Sequence, residues 1–226
     1  MAYSYSAIKA FKNCQRQYYE TRILKNWPFP ETEAIMYGKE VHKALEDYIG
    51  ENKPLGPHSR FQSVADSILA LEGEKLTEFE MALDDNLEPC EFLGKDVFIR
   101  GIADIVVVDK EKKRAYIGDY KTGSAKYPDT DQLELMALMI FRYFPEVEHV
   151  KAALLFIVHD KVVAAEYHKK DAKPKWKQWL AKVETMEQAA AMNMYHENPT
   201  GLCGWCEVTT CPHNTKDKRI RKSKYA

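Results

Sequence analysis

The sequence predicts one α/β or α+β domain in which helices wrap a mostly antiparallel sheet. Three observations predict it. Apolar residues recur near the helical period at Ile35, Val41, Ala44, Leu45 and Tyr48. The period then changes, and the stretch from Val97 to Val108 is rich in β-branched residues. Finally, Asp129 to Phe144 is strongly apolar, as expected of a helix buried against a sheet.

The elements follow in order. Ser6 to Leu24 reads as a helix with Ser4 or Ser6 as N-cap and Ile8, Phe11, Tyr18 and Tyr19 as apolar contacts. Pro28 and Pro30 break the chain before the second helix, Glu33 to Tyr48. Pro54, Gly56 and Pro57 end that unit, and a third helix is expected from Ser59 to Lys75. Phe79 to Leu83 alternates as a strand. Val97 to Val108 and Arg114 to Tyr120, joined by the charged turn Asp109–Lys113, read as a β-hairpin. After the buried helix come strands at Lys151 to Val158 and Val162 to Tyr167, then a closing helix from Pro174 to Met192.

A chain of 226 residues holds one substantial α/β domain. Its 45% hydrophobic and 30% charged residues are ordinary for a soluble globular protein. No apolar run approaches the ~20 residues that span a bilayer, and the opening MAYSYSAIKAF lacks the regions of a secretory signal. The expectation is a cytoplasmic protein, in a host cytoplasm if the source is viral, with no membrane partner. Residues 216 to 226 carry Lys216, Lys218, Arg219, Arg221, Lys222 and Lys224 against Asp217. This basic tail is expected to be disordered; it either tracks a phosphate backbone or only aids solubility.

The chemistry concentrates between Gly101 and Gly123. Asp119 and Lys121 are two apart on a strand, so they project from one face, and hairpin pairing brings Asp104 beside them. Two carboxylates on a buried sheet repel each other unless a cation lies between them. Mg²⁺, a hard ion that prefers oxygen ligands, is the natural candidate. A bound ion would activate water for attack on a phosphodiester, with Lys121 stabilising the transition state and the Tyr120 backbone carbonyl completing the metal shell.

Gly101-Ile-Ala-Asp104, Gly118-Asp-Tyr-Lys-Thr-Gly123, Gln132-Leu-Glu-Leu and Gly38-Lys-Glu-Val-His42 occur in that family's order and resemble the core motifs of RecB-like nucleases of the PD-(D/E)XK superfamily. That group includes the nuclease domains of RecBCD and AddAB and the small CRISPR-adaptation exonucleases. The resemblance spans Ser4 to Pro212. It implies a restriction-endonuclease-like core, a mixed central sheet flanked by helices. It also implies His42 as a further ligand of Mg²⁺ or Mn²⁺, Glu80 as an acidic strand residue near a second metal, and Gln132 approaching the active site. The family places Tyr four residues after this Gln, where Met136 stands here.

Three of five cysteines crowd together at Cys203, Cys206 and Cys211. Iron–sulfur clusters and structural zinc both take four ligands. The resemblance implies a 4Fe–4S cluster on Cys14, Cys203, Cys206 and Cys211. It would form a small subdomain from residues 1–26 and 193–215, joining the chain ends within one nuclease domain over 1–215. Gln15 replaces a Pro frequent in the family. Structural Zn²⁺ with His213 as fourth ligand is the alternative, and Cys90 reads as a free thiol.

The function implied is a metal-dependent exonuclease acting on single-stranded DNA or DNA ends, in recombination, repair or end processing. A helicase, recombinase or CRISPR-adaptation partner and a homo-oligomer are compatible. No G-x-x-x-x-G-K-[ST] loop occurs to drive unwinding. Tyr3, Tyr5, Tyr18, Tyr19 and Tyr127 are candidates to stack on bases. The alternatives are a non-catalytic DNA-binding or assembly subunit and a structure-selective endonuclease.

Overall fold

The structure is a computed structural model, and it describes residues 2–28 and 31–215. The chain forms two compact units, Met1–Tyr3 with Glu31–Trp179 and Ser4–Pro30 with Leu180–Ala226. The first unit holds a mixed five-stranded sheet in the order β1 (Glu74–Leu83), β2 (Ile99–Asp109), β3 (Arg114–Tyr120), β4 (His149–Phe156), β5 (Lys161–His168). All neighbours are antiparallel except β3 and β4, which run parallel. A parallel pair needs a crossover, and helix α5 (Asp131–Tyr143) supplies it.

Helix α3 (Glu33–Glu51) starts where the Thr32 hydroxyl accepts the Ile35 N–H and stops at Asn52 in the left-handed region. Its Val41, Leu45 and Ile49 pack with Leu55, Phe61, Ala65, Ile68, Ile105, Val107, Tyr120 and Ile157. Each large side chain so buried stabilises the fold by about 1.5–3 kcal/mol. Helix α5 touches β1, β3, β4 and β5, and every residue from Leu133 to Phe141 except Glu134 is buried. Its Tyr143 hydroxyl accepts the Ala82 N–H (2.8 Å) and tethers the edge strand β1.

Two expected boundaries moved. The third helix is a 3-10 turn (Gly56–Phe61) leading into α4 (Gln62–Leu69), and β1 begins at Glu74 rather than Phe79. Gly73 is the reason. Its φ is +121°, and a Cβ there would fall 2.5 Å from the Val108 carbonyl oxygen, so helix cannot pass through it.

In the second unit the expected first helix is broken. α1 (Tyr5–Asn13) and the four-residue α2 (Gln15–Tyr18) flank an extended Cys14, and a π turn follows at Tyr19–Ile23. Helix α6 (Ala172–Met192) ends in this unit, followed by a 3-10 turn at Gly201–Trp205. Gln15 Oε1 accepts the His196 N–H, Arg16 N–H donates to the His196 carbonyl, and the Tyr19 and Tyr195 rings stack at 4.2 Å. The basic tail at 216–226 lies outside the described residues.

Candidate active site

The β2–β3 ladder runs from Asp109↔Arg114 to Ile105↔Gly118. One step further the same register sets Asp104 against Asp119, and there the ladder ends. The Asp104 carboxylate takes the Tyr120 N–H instead, at 2.6 Å. A glycine precedes Asp119 for a steric reason. A Cβ at Gly118 would lie 2.7 Å from Ile105 Cγ2 and 3.1 Å from Leu155 Cδ1.

Asp119 is 2% exposed. Its Oδ1 accepts from Gln132 Nε2 at 2.7 Å, and its Oδ2 lies 2.5 Å from Lys121 Nζ without a well-aligned hydrogen bond. Lys121 also donates to Gln132 Oε1 at 3.3 Å. Gln132, in the first turn of α5, thus holds both groups at once. Burial, and then the neighbouring Asp104, push the Asp119 carboxyl up to about 6, against the opposing pull of Lys121.

His42 reaches the same place from α3. Its Nδ1 is 3.5 Å from Asp104 Oδ2, and its ring meets Tyr120 edge-on at 5.6 Å. Burial disfavours the imidazolium, but the carboxylates of Asp104, Asp119 and Glu78 outweigh it and hold the pKa above its ordinary value. Ligand atoms of His42, Glu78 and Asp104 all lie within 4.8 Å of one another.

Glu78, not Glu80, is the β1 acid in this set. Glu80 is exposed and pairs with Ile102. Glu78 has φ +44°, and the ladder skips it between Thr77↔Ile105 and Phe79↔Ala103, directly against Asp104. Two glutamates two apart on a strand share a face by simple alternation, so sequence had no means to choose between them. Only the β1–β2 register, with its left-handed residue, does. Burial first, then Asp104 and Glu46, raise the Glu78 carboxyl above its ordinary range.

The donor set suits a divalent cation. Three carboxylates, two of them pushed up by burial and mutual repulsion, face one lysine and one imidazole. A hard cation would relieve that imbalance.

Residues 2–212 match the family described as the PD-(D/E)XK nuclease superfamily. The chain belongs to the PD-(D/E)XK nuclease superfamily. A solved structure, "Crystal structure of SSO0001", aligns with 94% of this chain and 87% of its own at 17% identity and a TM-score of 0.48. No curated protein sequence matches the chain significantly. PD-(D/E)XK nucleases use divalent metals, and the site offers an acidic, imidazole-bearing set for one. Among the described residues, no helix is long and apolar enough to cross a membrane.

In the second unit, Cys14, Cys203, Cys206 and Cys211 line one cavity of about 450 Å³ together with His213. The Thr200 N–H donates to Cys203 Sγ at 3.3 Å, and the Val208 N–H bonds the Cys206 thiol. Burial and then the other three cysteines raise the Cys206 pKa. The four sulfurs do not gather within 4.8 Å of one another. Of the tyrosines singled out for stacking, Tyr3 and Tyr18 are core residues, Tyr19 is stacked on Tyr195, and Tyr127 is 83% exposed.

Proposed function

We propose that the protein is a metal-dependent DNA exonuclease of the RecB-like group. It degrades DNA from ends, favouring single strands, in recombination, repair or end processing. The observation that carries this reading is Asp119, buried and facing Asp104, with Lys121 and Gln132 locked onto it. Asp104, Asp119, His42 and Glu78 would hold Mg²⁺ or Mn²⁺, with the Tyr120 carbonyl beside them. A divalent ion there supplies charge neutralisation for the scissile phosphate and a water of lowered pKa. Lys121 orients the attacking water and stabilises the charge that builds on the phosphoryl oxygens. Gln132 fixes the Lys121 ammonium and the Asp119 carboxylate relative to each other.

We read the chain to residue 215 as one nuclease domain whose second unit carries a 4Fe–4S cluster on Cys14, Cys203, Cys206 and Cys211. Their common cavity and the N–H groups directed at two sulfurs support a thiolate-bound group there. The cluster would staple the two chain ends in a structural role.

The test is a nuclease assay in Mg²⁺ or Mn²⁺ on anaerobically purified protein. It compares end-labelled single strands, linear duplex and covalently closed circles, with Lys121→Ala in parallel. Metal-dependent loss of linear DNA, spared circles and an inactive variant are expected. Cleaved circles would replace the exonuclease by an endonuclease. Inactivity on every substrate, with the cluster's visible absorbance intact, would leave a DNA-binding or assembly subunit.

A further inference from the structure

A groove of about 640 Å³ opens beside the carboxylate and imidazole set, and His42 and Glu78 belong to its lining. Its walls are the first half of α3, with Ile35, Tyr37, Gly38, Lys39 and Lys43, and the segment Thr122–Gly123 after β3. Gly38 keeps it open: a Cβ there would come 3.2 Å from Thr122 Oγ1.

Tyr37 is the aromatic residue of this groove, and it is held from several sides. Arg60 donates to its hydroxyl, His58 meets its ring edge-on at 5.9 Å, and it packs against the α3 core cluster. A ring fixed in this way loses little rotamer freedom on binding a ligand. Lys39 and Lys43 stand next along the helix. Lys39 pairs with Glu31 at 2.5 Å, and Lys43 pairs with Glu46 and Asp47 at 3.1 and 2.9 Å. Both lysines are exposed, and such pairs are weak enough for a phosphate to compete.

An aromatic face and adjacent cations are what an unpaired nucleotide needs: the base stacks and the phosphate finds positive charge. A base inside a duplex already has both faces covered. We propose that this groove holds the nucleotide adjoining the scissile phosphate of single-stranded DNA, with Tyr37 stacked on its base. The proposal rests on the nuclease reading above, and it makes Tyr37 a residue that selects unpaired DNA.

The test uses the Lys121→Ala protein in Ca²⁺ and fluorescence anisotropy. Single-stranded oligonucleotides carry one abasic site, moved along the strand a position at a time. One position is expected to weaken binding about five- to a hundred-fold, with Tyr37→Phe showing the same penalty. Tyr37→Leu should lose the penalty while binding the abasic strand as tightly as its parent, which a merely unfolded variant would not do. A penalty unchanged in Tyr37→Leu, or no sensitive position, overturns the proposal. Should Tyr37→Leu fail to fold, Tyr37→Trp carries the test, where a larger ring should enlarge the same penalty and an unchanged one overturns the idea. Cleavage is scored separately with Lys121 intact. A Tyr37-dependent penalty without any metal-dependent cleavage would sink the nuclease reading and leave the groove as a single-strand site. Absence of oligonucleotide binding would sink the groove proposal whatever the cleavage result.

Discussion

At the residue scale, Glu78 combines strain with chemistry. A glutamate at φ +44° inside a strand costs of order 1–3 kcal/mol, and its carboxylate is repelled by Asp104 and Glu46. Glu78→Gly removes both costs together with one ligand atom. The metal-free variant should therefore melt about 2–4 °C higher for each kcal/mol relieved, while the rise in melting temperature on adding Mn²⁺ is largely lost. A variant that melts lower without metal yet keeps its full response to Mn²⁺ would rule out Glu78 as a ligand. Gln132 acts differently, because it touches Asp119 and Lys121 and orients them. Gln132→Leu keeps the shape and removes both hydrogen bonds. We expect kcat to fall about 10- to 100-fold with KM little changed, and steady-state kinetics on a single-stranded substrate would show it. A change confined to KM would instead place Gln132 in DNA binding.

At the element scale, most of this protein was legible in its sequence. The β2–β3 hairpin, the buried α5 and the strand pair β4–β5 announce themselves by period and by the turns between them. That hairpin alone predicts that Asp104, Asp119 and Lys121 meet; in the structure Asp104 takes the Tyr120 N–H and Lys121 lies 2.5 Å from Asp119. What sequence could not supply was a conformation that breaks a period. Glu78 leaves the strand alternation through a positive φ, so the neighbouring Glu80 looked as good. Cys14 interrupts a stretch whose apolar spacing continues as if helical, and α4 stops at Leu69, with Gly73 barring helix from the Lys75 that composition alone suggests. Gly73 also sets the start of β1, since Glu74 pairs with Val108 at once. Gly73→Ala would drive a Cβ to 2.5 Å from the Val108 carbonyl, backbone that has no side-chain rotamer to yield. A loss of roughly 1–3 kcal/mol or more is expected, read as a lower midpoint in urea with an unchanged slope. Gly123→Ala, which meets nothing within 4 Å, is the neutral control. Equal midpoints for the two variants would show that the Gly73 turn relaxes freely.

At the scale of the whole molecule, the site makes stability depend on pH and metal together. Asp119 has a folded pKa near 6 against an ordinary carboxylate value of 3.8, and Glu78 is also raised. Raised acids reverse the usual carboxylate case, because the folded state binds protons more tightly than the unfolded one. Their contribution is full below the unfolded pKa and is lost as pH rises through the folded value, between about 4 and 6 for Asp119. His42, raised above 6.5, adds stability that disappears in the same direction at higher pH. Without metal, these three groups should make the protein progressively less stable from mildly acidic to neutral pH. A divalent ion needs the carboxylates ionised and the imidazole neutral, so it competes with the same protons. The increase in melting temperature on adding 5 mM-scale Mn²⁺ over a chelator control should therefore be small near pH 5 and grow toward pH 7.5, following mass action on the deprotonated site. Asp119→Asn removes the most perturbed group and should flatten both trends, the metal-free decline and the metal-dependent gain. Ion pairs elsewhere, such as Lys112 with Glu72 and Lys113 with Glu148, lower exposed carboxylates and are common to both proteins, so they cancel in the comparison. A metal response of the same size at both pH values, or one that survives Asp119→Asn intact, would place the bound ion somewhere other than between His42, Glu78, Asp104 and Asp119.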